Sequence, residues 1–472
     1  MLHQIFQARR WLTVALVLGL SGCATLSDDR GFGPVATSVK QRTGVEPRWT
    51  RSASDRESVK ALVTERLAQP LSANDAVQIA LVNNPGLQAS YADLGIAEAE
   101  LVRAGRLPNP RFSFSRMSNS QSLEIERKFV VDVVSILIMP ITSKLEAVRF
   151  QTTQTAVAAE ALRVAADTRR AYILAVSASE SVRYYEQVRL AAEASSELAR
   201  RMMEAGNWSR LAQAREQVFY ADAIAQLARV KQNALAERER LARLLGLGND
   251  ARALKLPERL PSLPATPRTL TNLEAQVLAQ RLDITMARQG LDATGYALEL
   301  TRVTRFVSVF ELAYKNKSER GDPRQNGYEI ELEIPLFDWG ETKLAKAEAI
   351  YMQSVGRLAE ATGNAQSEAR TAHAAYMSTY ELARHYREEV VPLRKKIAEE
   401  TLLRYNGMLL SVFELLADAR EQVMSVNASI EATRDFWLAD ADLDAAIVGG
   451  SPMTGFAMLP SSAEAPAARP AH

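Results

Sequence analysis

The chain has 472 residues, 47% hydrophobic and 24% charged, a balance that excludes both a disordered chain and a bundle of membrane helices. With 57 Lys and Arg against 56 Asp and Glu, the net charge is +1, which leaves no basic excess to hold a nucleic-acid backbone. One cysteine and four histidines exclude a disulfide framework, a Cys/His zinc site and a CxxC redox centre, so no metal or cofactor is expected. At the amino terminus, residues 1–22 read as an export signal. Arg9 and Arg10 form a basic n-region, and Trp11 to Leu20 form an apolar stretch shorter than the about 20 residues that span a bilayer.

That segment ends in Leu20-Ser21-Gly22-Cys23, which resembles the lipobox of bacterial lipoproteins, whose cysteine carries acyl chains such as palmitate and becomes the first mature residue. Cys23 is the only cysteine in the chain. Ala24 follows where an Asp would signal retention in the inner membrane, so the resemblance points to the outer membrane. Residues 23–70 then read as a lipid-anchored polar tether.

The rest reads as one unit used twice, over 71–245 and 270–448, with a Pro-rich linker at 246–269 and a Pro-, Ser- and Ala-rich disordered tail at 449–472. Ala214-Arg215-Glu216-Gln217-Val218 recurs as Ala419-Arg420-Glu421-Gln422-Val423, each after a glycine break, at Gly206 and Gly407. Each unit predicts helix, two strands, long helix, turn and helix. Residues 72–106 are Ala- and Leu-rich behind a Ser72/Asp75 capping pair and stop before Pro108. A long helix follows Pro140 and reaches Gly206, with Val157, Ala161, Val164, Thr168, Ala171, Ala175, Ala178, Val182 and Tyr185 in alternating steps of four and three. That is a coiled-coil seam of small residues. Leu416, Ala419, Val423, Val426, Ile430, Thr433 and Trp437 repeat it behind the second turn.

Between first and second helices the period changes to two, over about 109–139 and about 304–337. Tyr328, Ile330, Leu332 and Ile334 alternate with Glu329, Glu331 and Glu333, after a strand at Phe306 to Phe310 and a polar turn. Such segments serve a soluble hairpin or a transmembrane strand, which needs only about 9–11 residues with apolar outside and polar inside. If they span, four per chain cannot close a barrel, since the smallest has about eight strands, and the barrel is shared between chains. The glutamates then form an acidic belt or, more plainly, solvate the inner face.

With these elements in place the chain resembles the TolC family of outer-membrane efflux channels. The resemblance rests on Ala80-Leu81-Val82-Asn83-Asn84-Pro85, on Ile334-Pro335-Leu336-Phe337-Asp338-Trp339-Gly340, on Val390-Val391-Pro392-Leu393 through Tyr405-Asn406-Gly407, and on Asp440-Ala441-Asp442-Leu443. It implies a mostly α chain with a small β part, assembled as a homotrimer with a twelve-stranded outer-membrane barrel above a periplasmic coiled-coil tunnel. It implies a passive channel, not an enzyme, in a tripartite efflux or type I secretion system, with an inner-membrane pump supplying energy and a periplasmic adaptor at the tunnel tip. Relatives carry drugs, metal ions, proteins or polysaccharide fragments. The alternative is a structural coiled-coil lipoprotein that links envelope layers, for which a duplicated strand pair has no use. Arg281-Leu282-Asp283 departs from the family pattern, which often has Pro in the middle, and Ser411 stands where an acidic residue often begins the last helix.

Within that picture Gly206-Asn207-Trp208-Ser209 and Gly407-Met408-Leu409-Leu410-Ser411 form the tip. The glycines supply left-handed helix ends and the serines cap the following helices. Trp208, Met408, Leu409 and Leu410 read as exposed apolar groups that meet the adaptor. Glu414 reads as half of a capping box with Ser411, or with Asp418 as an aperture gate. Tyr328, Ile330, Leu332 and Ile334 read as lipid-facing, Met202 and Met203 as core filler, and His373 and His385 as surface or packing residues.

Overall fold

The computed structural model describes residues 25–118, 123–248, 254–306, 309–333 and 337–449. The export signal, Cys23, Ile334 and the tail from 450 onward lie outside the described residues.

Residues 25–70 are not a tether. They form α1 (Phe32–Thr43) and α2 (Ala53–Leu67), and Val35, Val39, Val59, Val63 and Leu67 are buried in the main core. Spacings of four put one narrow apolar stripe on each otherwise polar helix, enough to dock it but too sparse to stand out in composition. The entry is tight. Gly31 has φ 73°, and a Cβ there would lie 2.3 Å from the Phe150 ring, so only glycine fits. Phe32 packs edge-on against Tyr91, 4.9 Å between centroids.

The expected helix over 72–106 is two, α3 (Ala73–Asn83) and α4 (Pro85–Ala104). Pro85 disfavours helical backbone at Asn84, which has φ −67° and ψ 119°, while Pro itself suits the first position of α4. The hairpin β1 (Arg111–Ser118) and β2 (Leu123–Asp132) leads into α5 (Val133–Glu204). The expected strand region therefore ends seven residues early, because 133–139 is the start of α5. At 72 residues and about 1.5 Å per residue, α5 runs about 108 Å. Pro140, the eighth residue of α5, opens its third turn and has no N–H to donate to Ile136 O, a local cost that the long helix carries. Helix α6 (Arg210–Leu244) returns along it.

The second unit repeats the order with α7 (Leu273–Gln280), α8 (Leu282–Thr304), β3 (Phe310–Glu319), β4 (Gln325–Leu332), α9 (Glu341–His385), α10 (Val391–Asn406) and α11 (Val412–Val448). The strand expected at Phe306 to Phe310 instead runs from Phe310 to Glu319, taking in Lys315, Asn316 and Lys317, and the polar turn is Arg320 to Arg324. A π-helical turn at Tyr386–Val390 joins α9 to α10, so the helix continues from Glu341 to Asn406. Its position just before Pro392 matches the cause, since proline has no N–H for the regular ladder and the wider turn absorbs the mismatch.

Helices α4, α5, α8 and α9 pack side by side in that order, with α11 against both α5 and α9. The α5 seam is buried from Val157 to Ala178, as its spacing predicts. On α11 the buried stripe is Ser425, Ala432, Phe436, Ala439 and Leu443, displaced from the expected one, and Ala419 is exposed. The same closure is built twice with different chemistry. In the first unit the Asn83 and Asn84 amides donate to the carbonyls of Leu245, at 2.8 Å, and Leu244, at 2.9 Å, at the end of α6. In the second, Arg281 Nη1 donates to Ala446 O at 3.0 Å near the end of α11, while its other nitrogens grip Asp283 at 2.6 and 3.0 Å. Arg281 thus does for the second unit what Asn83 and Asn84 do for the first. The linker lies along α9 and α11, its proline-interrupted backbone satisfied by side chains. Trp437 donates to Pro261 O at 2.9 Å, and Tyr380 to Pro264 O and Ala265 O at 3.1 and 3.0 Å.

Candidate functional site

The four strands form one antiparallel sheet in the order β1-β2-β3-β4, which leaves β1 and β4 as its edges. Strand pairing puts directly opposed residues on one face. Phe112, Phe129, Tyr314 and Tyr328 stand in one row, and Val131, Leu312 and Ile330 in the next. The outer members are open: Tyr328 is 87% and Ile330 68% exposed, with Leu332 beyond them on the same face. All seven acidic residues of the strands lie on the opposite face: Glu124, Glu126, Asp132, Glu311, Glu319, Glu329 and Glu331. Four basic residues share that face. Lys128 meets Glu329 at 3.1 Å, Lys315 also pairs with Glu329, Lys317 meets Glu124 at 2.9 Å, and Arg111 pairs with Glu311. Of the two readings of the β4 glutamates, an acidic belt or plain solvation, the belt does not fit, because this face is a mixed ladder with three more acids than bases. A sheet with one apolar face open and one charged face internally paired suits an apolar phase on one side and water on the other.

At the far end of the helices, the two turns follow one geometry in a register the sequence misleads about. Ser209 caps α6 through Ala212 N at 3.1 Å, and Ser411 caps α11 in a full capping box with Glu414. Counted back from these serines, the left-handed residue is Gly206 (φ 78°) in the first turn and Met408 (φ 57°) in the second. Asn207 N→Met202 O at 2.9 Å and Leu409 N→Arg404 O at 2.8 Å close the same helix-end bond. Gly407, expected to be left-handed, has φ −79° and lies one position early.

The exposed apolar reading holds for Met408, at 94%, and Leu409, at 78%, while Leu410 is half-buried. It fails for Trp208, which is only 9% exposed. Trp208 packs with Ala199, Ala212 and Val412, flanked by Met202, Met203, Tyr405 and Leu416, and so joins the two turns. Asn207 is exposed, and the two methionines act as filler as expected. Glu414 is exposed on the first turn of α11, and hydrogen bonding to Ser411 holds its carboxyl below the usual glutamate range. Asp418 is half-buried and makes no ion pair among the described residues. Neither His373 nor His385 belongs to a metal-type cluster among the described residues, and His385 pairs with Glu389 at 3.2 Å.

No protein-family model matches the sequence, and no curated protein matches it. Solved structures do. The outer-membrane channel OprN is 18% identical with a TM-score of 0.69, covering 82% of this chain and 92% of its own. The open state of the MtrE outer-membrane channel of Neisseria gonorrhoeae is 19% identical at TM-score 0.67, covering 82% and 89%. The outer-membrane protein VceC of Vibrio cholerae is 15% identical at 0.65, covering 83% and 96%. The chain has the fold of outer-membrane channels.

In this channel fold the sheet and the tip are opposite ends of one body, joined by the long helices. Sequence reasoning missed the polar contact between the hairpins just behind the tip. Glu216, 3% exposed, accepts from Ser195 Oγ at 2.7 Å and pairs with Arg420, whose guanidinium lies 5.0 Å from the Phe219 ring centroid. The signal was present, because Glu216 and Arg420 come from the two copies of the repeated Ala-Arg-Glu-Gln-Val. What repetition does not reveal is that the acid of one copy meets the base of the other.

Proposed function

We propose that this chain is a TolC-type outer-membrane channel that assembles as a trimer and conducts substrate passively from a periplasmic adaptor and an inner-membrane pump to the exterior. The observation that carries this reading is the sheet: four strands, apolar on one face, with β1 and β4 as open edges. An open edge in lipid leaves backbone groups without partners, which costs several kcal/mol for each. Four strands fall short of the about eight of the smallest barrel, so several chains share it, and three, the number that the resemblance to TolC channels implies, contribute twelve strands. The helices, about 108 Å in the case of α5, then continue the wall as a periplasmic tunnel. Cys23, as the acylated first residue, anchors the chain beside the barrel, and Met408 and Leu409 offer apolar contacts to the adaptor. A spacer lipoprotein would need the helices but not the sheet.

The test is export. Deleting the gene should raise intracellular accumulation of the pump's substrate, and restoring wild-type protein should reverse it. Purified protein in a planar bilayer should conduct ions. Conduction without any export phenotype would remove the tripartite assignment, and a protein that neither conducts nor assembles would favour the spacer.

A further inference from the structure

Strands β2 and β3 have 10 residues each, but the continuous apolar part of their outward face is shorter than a membrane crossing. On its apolar face the outward rows run from Phe310 and Leu332, through Leu312 and Ile330, to Tyr314 and Tyr328. Four residue steps at about 3.3 Å, tilted about 40°, give about 10 Å of apolar wall, less than half of the about 25 Å band of an outer-membrane barrel. Above the Tyr314 row the same face turns polar. Arg127, Asn316 and Asn326 form the next row with Phe114, and Arg116 and Ser318 flank Ile125 in the one after. Arg116 and Arg127 share that face with no acidic residue, and Arg127 lies over the Phe114 ring at 5.9 Å. Arg127 also donates to Asn316 Oδ1 at 2.9 Å, and two exposed arginines that pair with no acid among the described residues suit a phosphate headgroup layer and not hydrocarbon.

Below the sheet the pattern reverses. Residues 133–143 carry no charge, Val133 to Met139 is apolar but for Ser135, and the first charged side chain after Asp132 is Lys144. Sequence patterning reads this run as strand, yet it is the start of α5, with Leu137 exposed. Around the same junction Leu107, Phe306, Phe337 and Trp339 are also exposed, Phe337 completely. Helix α5 lies between α4 and α8 in the layer, and its strand β2 is not one of the sheet's two edges.

Resting on the outer-membrane reading, we infer that the bilayer sits low on the molecule: outer-leaflet lipid phosphates meet Arg116 and Arg127, and acyl chains extend past the sheet to the first two turns of α5. From Arg127 to Asp132 the strand contributes about 13 Å of height, and Val133 to Met139 adds about 10 Å, which together match the expected band. The apolar collar of Leu107, Leu137, Phe306, Phe337 and Trp339 is then the lipid-facing wall of the periplasmic leaflet. Among the described residues no helix is long and apolar enough to cross a membrane, so α5 contributes part of a wall and not a span.

Spin labels test this in full-length protein reconstituted in phosphatidylethanolamine–phosphatidylglycerol vesicles, with the wild type as background. Labels on Leu137→Cys, Phe337→Cys, Arg116→Cys, Tyr328→Cys and Met408→Cys are compared for accessibility to oxygen, which partitions into lipid, and to a water-soluble nickel chelate. The expected result is oxygen-dominated relaxation at 137, 337 and 328, and nickel-dominated relaxation at 116 and 408. Nickel dominance at 137 and 337 with oxygen dominance at 328 would overturn the low placement while leaving the membrane reading intact. Shielding of 337 and 137 from both reagents would assign the collar to a protein contact, and oxygen dominance at 116 would centre the bilayer on the sheet. Nickel dominance at 328 would remove the transmembrane reading itself.

Discussion

Replacing Trp208 with alanine should loosen the tip and leave the rest of the molecule intact. The side chain is 9% exposed and its neighbours come from both hairpins, Ala199 and Ala212 on one side and Val412 on the other. Trp→Ala in a core costs about 3–5 kcal/mol, and the lower figure applies here because only three residues of the cluster are fully buried besides Trp208 and the end of a rod relaxes readily. About 3 kcal/mol corresponds to a local opening constant higher by about 100-fold. Hydrogen exchange followed by mass spectrometry should show this loss of protection in peptides covering 199–216 and 404–418. Peptides around 157–176, buried in the main core, should not change. Leu409→Ala, at a side chain 78% exposed, serves as the comparison and should shift protection little. Unchanged exchange at the tip of Trp208→Ala would refute the claim that this cluster holds the turns together. A defect in export with Leu409→Asp but normal tip exchange would separate partner contact from local folding.

Three further outcomes follow from the same geometry. Met408→Gly should raise tip stability by about 1 kcal/mol, because glycine tolerates the φ of 57° that methionine strains to adopt, whereas Gly206→Ala at φ 78° should lose a similar amount; thermal melts with exchange at each turn read both. Ile330→Lys, on the exposed apolar face, should cost about 2–4 kcal/mol of assembly if that face meets lipid, while Glu331→Lys on the charged face should assemble normally, as judged by trimer yield in detergent extracts. Arg281→Met should destabilise by about 3–5 kcal/mol, since Asp283 loses its partner while buried, and the double variant Arg281→Met/Asp283→Leu should recover much of that in a double-mutant melting cycle.

Much of this architecture was legible because periodicity survives duplication. The small-residue seam from Val157 to Ala178 is buried where its spacing places it, and the alternation at Tyr328, Ile330 and Leu332 marks one face of a strand. What escaped has physical reasons. Helices α1 and α2 bury only an i, i+4 stripe each, so their composition looks like a tether. The run 129–139 is apolar but for Asp132 and Ser135, too little polar punctuation to set a period that distinguishes strand from helix; the available signal was Asp132, which caps α5 by accepting from Ser135 N at 3.1 Å. At the tip, aligning Gly206 with Gly407 was natural by residue type, yet helix-end hydrogen bonds count from the serine caps and put the left-handed position on Met408. Trp208 looked exposed because turn residues usually are. Its burial depends on Val412, two hundred residues away, which no local pattern encodes.

The central claim is that several copies of this chain close one barrel through the edges β1 and β4. Native mass spectrometry of the protein extracted from outer membranes in mild detergent measures that directly. The account predicts a single dominant species of three chains, with strand content by circular dichroism equal to that of the membrane-embedded protein. A monodisperse monomer that retains its full strand content would contradict it, because four strands with open edges would then be stable alone.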